Sequence, residues 1–301
     1  MALKIFKKTA YCLLALLVFS SSVLAEKPSI AILAPSSNQE LSTVFELIID
    51  GIKQSTPQFT KDIQLLTDDN QDKIKQWLTS HEFQAVVTIG NKTTDFANTL
   101  PITFPVVTTG TLFSNNKSHS GVSLSIADDA LKNTLRHYLP HIKKLHIGDE
   151  GDNIIWFTTD LSSPQLIRQK IGHEQKSIVQ FLWKTINQVD PKTEAVWINN
   201  NIEHIFLYKL SERAWERNVT LISNNISHLE SGTLLAIYPD FKGMGQRTGE
   251  LLSTIIKQNN PSSLRLEPLS AIHRGINLRT AQHLGVEIPS AMENDFRVII
   301  K

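Results

Sequence analysis

Short apolar runs alternate with helical periodicities along the chain from Ser29 onward. The first run, SIAILAP, is continuous and partly β-branched, which is typical of a strand buried on both faces. After it, Leu41, Val44, Ile48 and Ile52 recur at the spacing of one helix face. Further strand patterns, among them AVVTIG and ITFPVVTTG, are separated by helical ones. This alternation predicts parallel sheets with helices on both faces.

A polar, glycine-bounded segment interrupts the alternation between Thr111 and Gly121. It predicts the crossing between two lobes, because strand and helix patterns restart beyond it with GVSLS and continue to TLLAIYP. We therefore predict an α/β protein of two similar doubly wound parallel-sheet lobes with a cleft between them. The predicted parts are a signal peptide over 1–25, lobe 1 over 26–113, lobe 2 over 114–240, and a segment over 241–301 that returns to lobe 1 and forms the hinge.

The N-terminus has the pattern of an export signal. Lys4, Lys7 and Lys8 precede an apolar segment that ends at Ala25. We expect cleavage after Ala25 and a periplasmic mature chain that is not embedded in the membrane, because the segment is shorter than the roughly 20 residues that span a bilayer. A membrane anchor is the alternative. The single cysteine, Cys12, lies in this segment, so the mature chain is expected to have no thiol chemistry and no disulfide.

Charge and motifs narrow the function class. The 30 basic and 29 acidic residues are evenly spread, so a nucleic-acid partner is not expected. There is no serine-nucleophile elbow and no His-Glu-x-x-His motif, which predicts a protein that is not an enzyme and has no cofactor. His137, His141 and His146 could form a metal pattern, but Pro140 interrupts the shared helix face, and we predict no metal site.

A glycine pattern follows the last apolar run, in YPDFKGMGQRTG. Gly243, Gly245 and Gly249 are spaced as in some dinucleotide fingerprints, and Glu267 follows at about the distance of a ribose-binding acid. However, the glycine pattern lies at the end of the predicted lobe 2, whereas a dinucleotide fingerprint lies at the start of a strand–helix–strand domain. It therefore favours a hinge between lobes over a phosphate cradle.

Neutral hydrogen-bonding residues follow most of the predicted strands. Ligands of open parallel sheets bind beyond the carboxyl ends of the strands, where hydroxyl and amide groups suit a small polar molecule. The same residue types are also ordinary turn and cap residues. The candidate ligand-binding residues are Ser36, Ser37, Asn91, Thr93, Thr108, Ser123, Asn200, Tyr238 and Asp240.

The C-terminal quarter carries a family resemblance. GTLLAIYPDFKGMGQRTGELLSTIIKQNNPSSL is followed by INLRTAQHLGVEIP, in which Asn277, Ala281, Leu284, Gly285 and Pro289 hold matching places. These segments resemble the bacterial ABC-transporter substrate-binding protein family that includes aromatic amino-acid binding proteins. AVVTIGNKTTDFA and ITFPVVTTGT are similar to it more loosely. The resemblance implies a type I-like periplasmic-binding-protein fold that closes on its ligand by hinge motion.

Together these patterns predict a monomeric periplasmic solute-binding protein. It would capture a small polar or aromatic molecule in the interlobe cleft and deliver it to an inner-membrane ABC-type permease. The alternative is a sensing or accessory binding protein that serves a sensor kinase or an outer-membrane uptake system without a dedicated permease.

Overall fold

The computed structural model describes residues 27–36, 39–111, 120–150, 162–199, 201–258 and 266–301. The predicted signal peptide lies outside these residues. The candidate residues Ser37 and Asn200 also lie outside them.

Strands and helices alternate through the described residues, as predicted. The strands are β1 (Ser29–Pro35), β2 (Thr60–Leu66), β3 (Val86–Ile89), β4 (Val106–Thr111), β5 (Ser120–Ile126), β6 (Lys144–Glu150), β7 (Gln165–Ile171), β8 (Glu194–Ile198), β9 (Thr220–Ser223), β10 (Leu235–Pro239), β11 (Leu266–Leu269), β12 (Ile272–Asn277) and β13 (Val298–Ile300). The helices are α1 (Gln39–Ser55), α2 (Gln71–Ser80), α3 (Asn91–Asn98), α4 (Asp128–Tyr138), α5 (Gln175–Gln188), α6 (His204–Glu216), α7 (Phe241–Gln258) and α8 (Leu278–His283).

The strands form two sheets, each the centre of one lobe. The first sheet has the order β11-β5-β4-β3-β1-β2, and all of its pairs are parallel. The second has the order β13-β12-β10-β9-β8-β6-β7, and it is parallel except where β12 pairs antiparallel with β10. The predicted class, α/β with two doubly wound lobes, is therefore confirmed.

The lobe boundaries differ from the predicted ones. β5, predicted to open lobe 2, belongs to the first sheet, where it pairs with β4 and β11. The polar segment between Thr111 and Gly121 thus joins two strands of one sheet instead of two lobes. The segment over 241–301 is also divided, because α7 and β11 belong to lobe 1 while β12 and β13 extend the second sheet. A polar, glycine-bounded segment indicates a surface loop, but it does not show which strands or helices the loop connects.

Each sheet is covered on both faces. In lobe 1, α1 and α7 pack on one face through residues such as Ile48 and Leu252, and α2 packs on the other through Leu78. In lobe 2, α5 and α6 share one face, and α4 and α8 lie on the opposite face. Two-sided burial explains why the central strands are continuous apolar runs.

The glycines of α7 allow close packing of two helices. A Cβ atom on Gly245 would lie 2.0 Å from the carbonyl oxygen of Ile48, and one on Gly51 would lie 2.1 Å from that of Lys242. The backbones of α1 and α7 therefore approach directly at these positions. Because Gly245 and Gly249 lie inside the helix and face α1, their spacing is that of one helix face and not that of a phosphate-binding turn.

Candidate ligand-binding cleft and hinge

Three backbone crossings connect the lobes. The first runs from β5 to α4 through Ala127, the second from β10 to α7 through Asp240, and the third from β11 to β12 through 270–271. β5, β10 and β11 all end at these crossings. In the first sheet all strands run parallel to β5 and β11, and in the second sheet most strands run parallel to β10. The carboxyl edges of both sheets therefore meet at the crossings. In α/β folds this is the edge where ligands bind.

The crossings are hydrogen bonded to one another. The backbone N–H of Ala127 donates to the carbonyl of Leu269 at 2.8 Å, and that of Asp240 donates to the carbonyl of Ala271 at 3.0 Å. The first turn of α7 lies against the third crossing, since a Cβ atom on Gly243 would be 2.7 Å from that of Ala271. The three crossings thus form one connected hinge, and Gly243 is needed for its close packing.

Asp240 caps the N-terminus of α7. Its Oδ1 accepts a hydrogen bond of 3.0 Å from the backbone N–H of Gly243, the third residue of the helix. The same oxygen lies 3.4 Å from Nε2 of His273 on β12. The ring of Tyr238, on the neighbouring strand β10, contacts the His273 ring with centroids 5.7 Å apart. Contact of Asp240 and Tyr238 with a ligand stays a prediction, while their described contacts lie in the hinge.

Three of the candidate residues are buried inside lobe 1. Thr93, Thr108 and Ser123 are each exposed by no more than 1%. The Thr93 hydroxyl donates to the carbonyl oxygen four residues earlier, and that of Thr108 lies 3.2 Å from the hydroxyl of Thr88. The Ser123 hydroxyl accepts from the N–H of Ser125. Their role as ligand contacts stays a prediction, because the contacts described for them lie within the lobe.

Two other candidates are exposed at the carboxyl edge of the first sheet. Ser36 follows β1 directly, and Asn91 begins α3 just after β3. The N-cap of α3 is Gly90, with a φ of 82°, which offers no capping side chain to the first-turn N–H groups. The start of α3 can therefore accept an anionic group.

The carboxyl edge of the second sheet carries Glu150 and Asn199, which are not among the predicted site residues. The Asn199 amide donates to Oε1 of Glu150 at 2.8 Å, and the Asn201 amide donates to Oε2. The Glu150 side chain is only 16% exposed, and its ion pair among the described side chains is with His173 at 4.0 Å. A mostly buried carboxylate with neutral partners favours a cationic group beside it. In the sequence, Glu150 lies two residues beyond the apolar run KLHIG. Extending that predicted strand by two residues would have identified Glu150 as a strand-end residue.

An ion-pair network fixes the start of lobe 2 beside this edge. Arg168 on β7 pairs with Asp128, the first residue of α4, and with Asp149 on β6 at 2.7 Å. Burial raises the pKa of Asp149, and the nearby guanidinium of Arg168 opposes this only in part. Because Asp128 directly follows the first crossing, the network joins the hinge to the carboxyl end of β6.

A buried hydroxyl–imidazole pair lies at the end of β9. The hydroxyl of Ser223 is 2.8 Å from Nδ1 of His228, and it also accepts from the N–H of Asn225. Ser223 is fully buried, so in this structure its hydroxyl cannot reach a substrate. Burial lowers the pKa of His228 to about 4, and a nearby His204 adds to the shift, so the imidazole is neutral at pH 7.

We expect His228 to make the fold acid-sensitive. Its pKa in the folded state lies below the ordinary value of about 6.5, so the stability gained from the neutral form is present above pH 6.5 and lost as the pH falls towards 4. The His228→Asn variant keeps a partner for Ser223 but does not titrate. Between pH 6.5 and 4 the free energy of unfolding should fall by roughly 2 kcal/mol less in this variant than in the wild type, as measured by urea unfolding. Parallel pH profiles would contradict the assignment.

The three histidines considered for a metal lie apart. His146 pairs with Glu194 at 2.9 Å, and His137 pairs with Asp295 at 3.9 Å. Across the described part of the chain, no group of three or more His, Cys, Asp or Glu residues could hold a metal ion.

A surface pocket lies away from the hinge. It has a volume of about 410 Å³ and is lined by α8 and the residues after it, including Leu278, Ala281 and Ile288. Because α8 follows the end of β12, this pocket is at the edge of the second sheet opposite to the crossings. We therefore place the candidate cleft at the crossings, where the carboxyl edges of both sheets meet.

No protein-family model and no curated protein matches this sequence. Solved structures share its fold. The ligand-free, open structure of CD0873, a substrate binding protein with adhesive properties from Clostridium difficile, is 14% identical with a TM-score of 0.60, covering 91% of this chain and 99% of that one. The ABC domain in complex with L-Trp from Streptococcus pneumonia is 16% identical with a TM-score of 0.50, covering 90% and 100%. A conserved domain protein from Vibrio cholerae is 14% identical with a TM-score of 0.51, covering 91% and 100%.

These similarities show the fold. The expectation of a type I-like periplasmic-binding-protein fold is confirmed by the two parallel-sheet lobes and by the likeness to a substrate binding protein over nearly its whole length.

Proposed function

We propose that this protein captures a small polar or aromatic molecule between its lobes and delivers it to an inner-membrane ABC-type permease. The observation that carries the proposal is the convergence of two sheet edges at three hydrogen-bonded crossings, since this geometry allows the lobes to close on a ligand. Among proteins with this fold, one is described as a substrate binding protein and another was solved with L-Trp.

The polar groups at the two edges support a ligand that carries both charges. In lobe 1, the first-turn N–H groups of α3 suit a carboxylate, with Ser36 and Asn91 exposed nearby. In lobe 2, the carboxylate of Glu150 suits an ammonium group, and Asn199 holds it in place. The ring of Tyr238 adds an aromatic surface. An amino acid, including an aromatic one, has this combination of groups.

The N-terminal pattern supports export of the chain. Lysines before an apolar segment and small residues before Glu26 are typical of a cleaved leader. Within the ranges that the structure describes, no helix is both long and apolar enough to cross a membrane. We propose a periplasmic, monomeric mature chain that reaches its permease by diffusion.

A ligand of this class should stabilise and compact the protein. In a thermal-shift screen of amino acids and other metabolites on the mature chain, the true ligand at 100 times its Kd should add about 2.7 kcal/mol to the free energy of unfolding. In solution scattering, the radius of gyration should fall when that ligand is added, because the lobes close. A ligand that binds without compaction would contradict closure, and the absence of any ligand would contradict the proposed function.

Delivery is tested separately from binding. The purified protein with its ligand should restore uptake of that ligand by spheroplasts that lack the protein but keep their permeases. If binding and compaction occur without restored uptake, a sensing or accessory binding protein becomes the better description.

A further inference from the structure

Lysines converge on one turn at the amino edge of the first sheet, the edge opposite to the crossings. This turn joins the end of α1 to the start of β2. The Lys61 ammonium group donates to the backbone carbonyl oxygens of Thr56 and Phe59, the latter at 2.7 Å. The Lys27 ammonium group, just before β1, donates to the carbonyl oxygen of Pro57 at 3.0 Å. Two positive charges are therefore held beside the same turn.

Two further lysines lie on the helix ends next to this turn. Lys53 is in the last turn of α1, directly before it. The Gln58 side chain, in the turn itself, donates to the Ser253 hydroxyl of α7 at 2.9 Å. Lys257 follows Ser253 by four residues and so lies on the same face of α7. We name this group of side chains the lysine pole, and it consists of Lys27, Lys53, Lys61 and Lys257.

The lysine pole has an excess of positive charge. The exposed residues between the lysines are neutral, namely Gln54, Pro57, Gln58 and Thr60. Asp62 follows Lys61 in the sequence, but its carboxylate is turned towards α2, where it accepts from the Trp77 indole at 2.8 Å. Even if Asp50 on α1 and Glu82 before β3 are counted as negative neighbours, two positive charges remain in excess.

The arrangement of the lysines suits an extended anionic surface. Lys27, Lys53 and Lys257 are exposed around the turn, and basic side chains grouped in this way attract the anionic headgroups of a bilayer. The N-terminal apolar segment ends at Ala25, two residues before Lys27. If the chain is exported as proposed above, this segment enters the inner membrane and brings the lysine pole to the bilayer surface.

We propose that the lysine pole holds the mature protein reversibly against the anionic phospholipids of the inner membrane. The choice of membrane rests on the proposed export, whereas the charge of the pole does not. Each basic side chain near an anionic surface contributes about 1 kcal/mol, so binding is weak for one lysine and measurable for four. Such binding would raise the concentration of the protein beside a membrane partner without embedding the chain.

The proposal is tested by sedimentation of the mature, ligand-free protein with lipid vesicles. At low salt the protein should bind vesicles of mixed phosphatidylglycerol and phosphatidylcholine, and it should bind phosphatidylcholine vesicles far less. Binding should be lost at about 0.5 M salt, where charges are screened within a few ångströms. Because no solute is added, a failure here leaves the capture of a small molecule in the cleft untouched.

A double variant, Lys53→Gln with Lys257→Gln, removes half of the charge of the pole. Both residues are exposed, and glutamine is a good helix former, so the fold should be kept. Its affinity for the anionic vesicles should fall roughly 25-fold, at about fivefold per lysine. The matched control is Lys75→Gln with Lys176→Gln, which makes the same change of net charge on exposed faces of α2 and α5. Circular dichroism checks that both variants are folded.

A fluorescent label shows which part of the protein touches the bilayer. Gln58→Cys places the label in the turn, and Gln188→Cys places it at the exposed end of α5 in lobe 2. The mature chain has no other thiol, because Cys12 precedes the expected cleavage site. Lipids that carry a quencher on the headgroup should quench the first label strongly and the second weakly.

Four results would each overturn the proposal. They are equal binding to both kinds of vesicle, an unchanged affinity of the pole variant, an equal loss in the control variant, and equal quenching of the two labels. Displacement by inorganic phosphate that exceeds the effect of chloride at the same ionic strength would also overturn it, since this would indicate a site for a free phosphate. Salt-sensitive binding to anionic vesicles that falls in the pole variant alone, with quenching at the turn, supports it.

Discussion

Replacing Gly245 by alanine is expected to lower the free energy of unfolding by about 3 kcal/mol, at the upper end for overpacking. The new Cβ atom would lie 2.0 Å from the carbonyl oxygen of Ile48 and 3.1 Å from the Cα atom of Gly51. Both are backbone atoms of α1, so no side chain can rotate away. The two helices would have to separate, which would loosen the packing of Met244 and Leu252 against the first sheet.

Gly249→Ala is the matched control for this change. Gly249 faces α1 one turn later, but there the Cβ atom would meet the Ser55 hydroxyl at 2.1 Å and a Thr56 methyl group at 2.9 Å. The Ser55 hydroxyl belongs to a side chain that can rotate away from the new Cβ atom, whereas the Ile48 carbonyl beside Gly245 is part of the backbone and cannot. Urea unfolding followed by circular dichroism should therefore show a much smaller loss for Gly249→Ala. Equal stability of Gly245→Ala and the wild type would show that the helices are not in backbone contact.

The fold class could be predicted because both sheets are buried on two faces. Continuous apolar strands such as β1 and helix faces such as that of α1 leave a clear pattern in the sequence. The lobe boundaries could not be predicted, because the crossings at Ala127, Asp240 and 270–271 are short and contain no run of glycine or serine. The strongest loop signal instead lies between two strands of one sheet. Strand pairing decides which strands belong to the same lobe, and a single sequence does not show how strands pair.

The candidate site was predictable to the extent that it follows strand ends. That rule found Ser36 and Asn91, which are exposed at the carboxyl edge of the first sheet. The same rule selected Thr93 and Thr108, whose side chains point into the lobe, because position along the chain does not give the direction of a side chain. The rule did not select Glu150, because the two residues after Gly148 are polar and the apolar strand pattern ends two residues before β6 does.

The glycine pattern was ambiguous for a related reason. Glycines four residues apart, such as Gly245 and Gly249, lie on one face of a helix, while the Gly-x-Gly pair of Gly243 and Gly245 also occurs in nucleotide-binding turns. Only the position of α1 shows that Gly245 and Gly249 serve contact between helices.

Glu150→Gln is expected to weaken binding of an amine-containing ligand at least tenfold while leaving the fold intact. Hydrogen bonds to a charged group contribute about 1.5–3 kcal/mol, and the substitution removes the charge but keeps the shape. Glutamine still offers Oε1 to the Asn199 amide. The amide of Asn201, an exposed residue, can turn to present its oxygen to the new NH₂ group. Titration calorimetry with the ligand found by thermal shift measures the affinity, and the melting temperature without ligand should change little.

Glu212→Gln is the control, because it makes the same change of charge on the exposed surface of α6, away from the carboxyl edge. Its affinity should equal that of the wild type, which excludes an effect of net charge alone. If Glu150→Gln binds as tightly as the wild type, the ligand does not contact this carboxylate, and the cleft must recognise it through lobe 1 and the hinge.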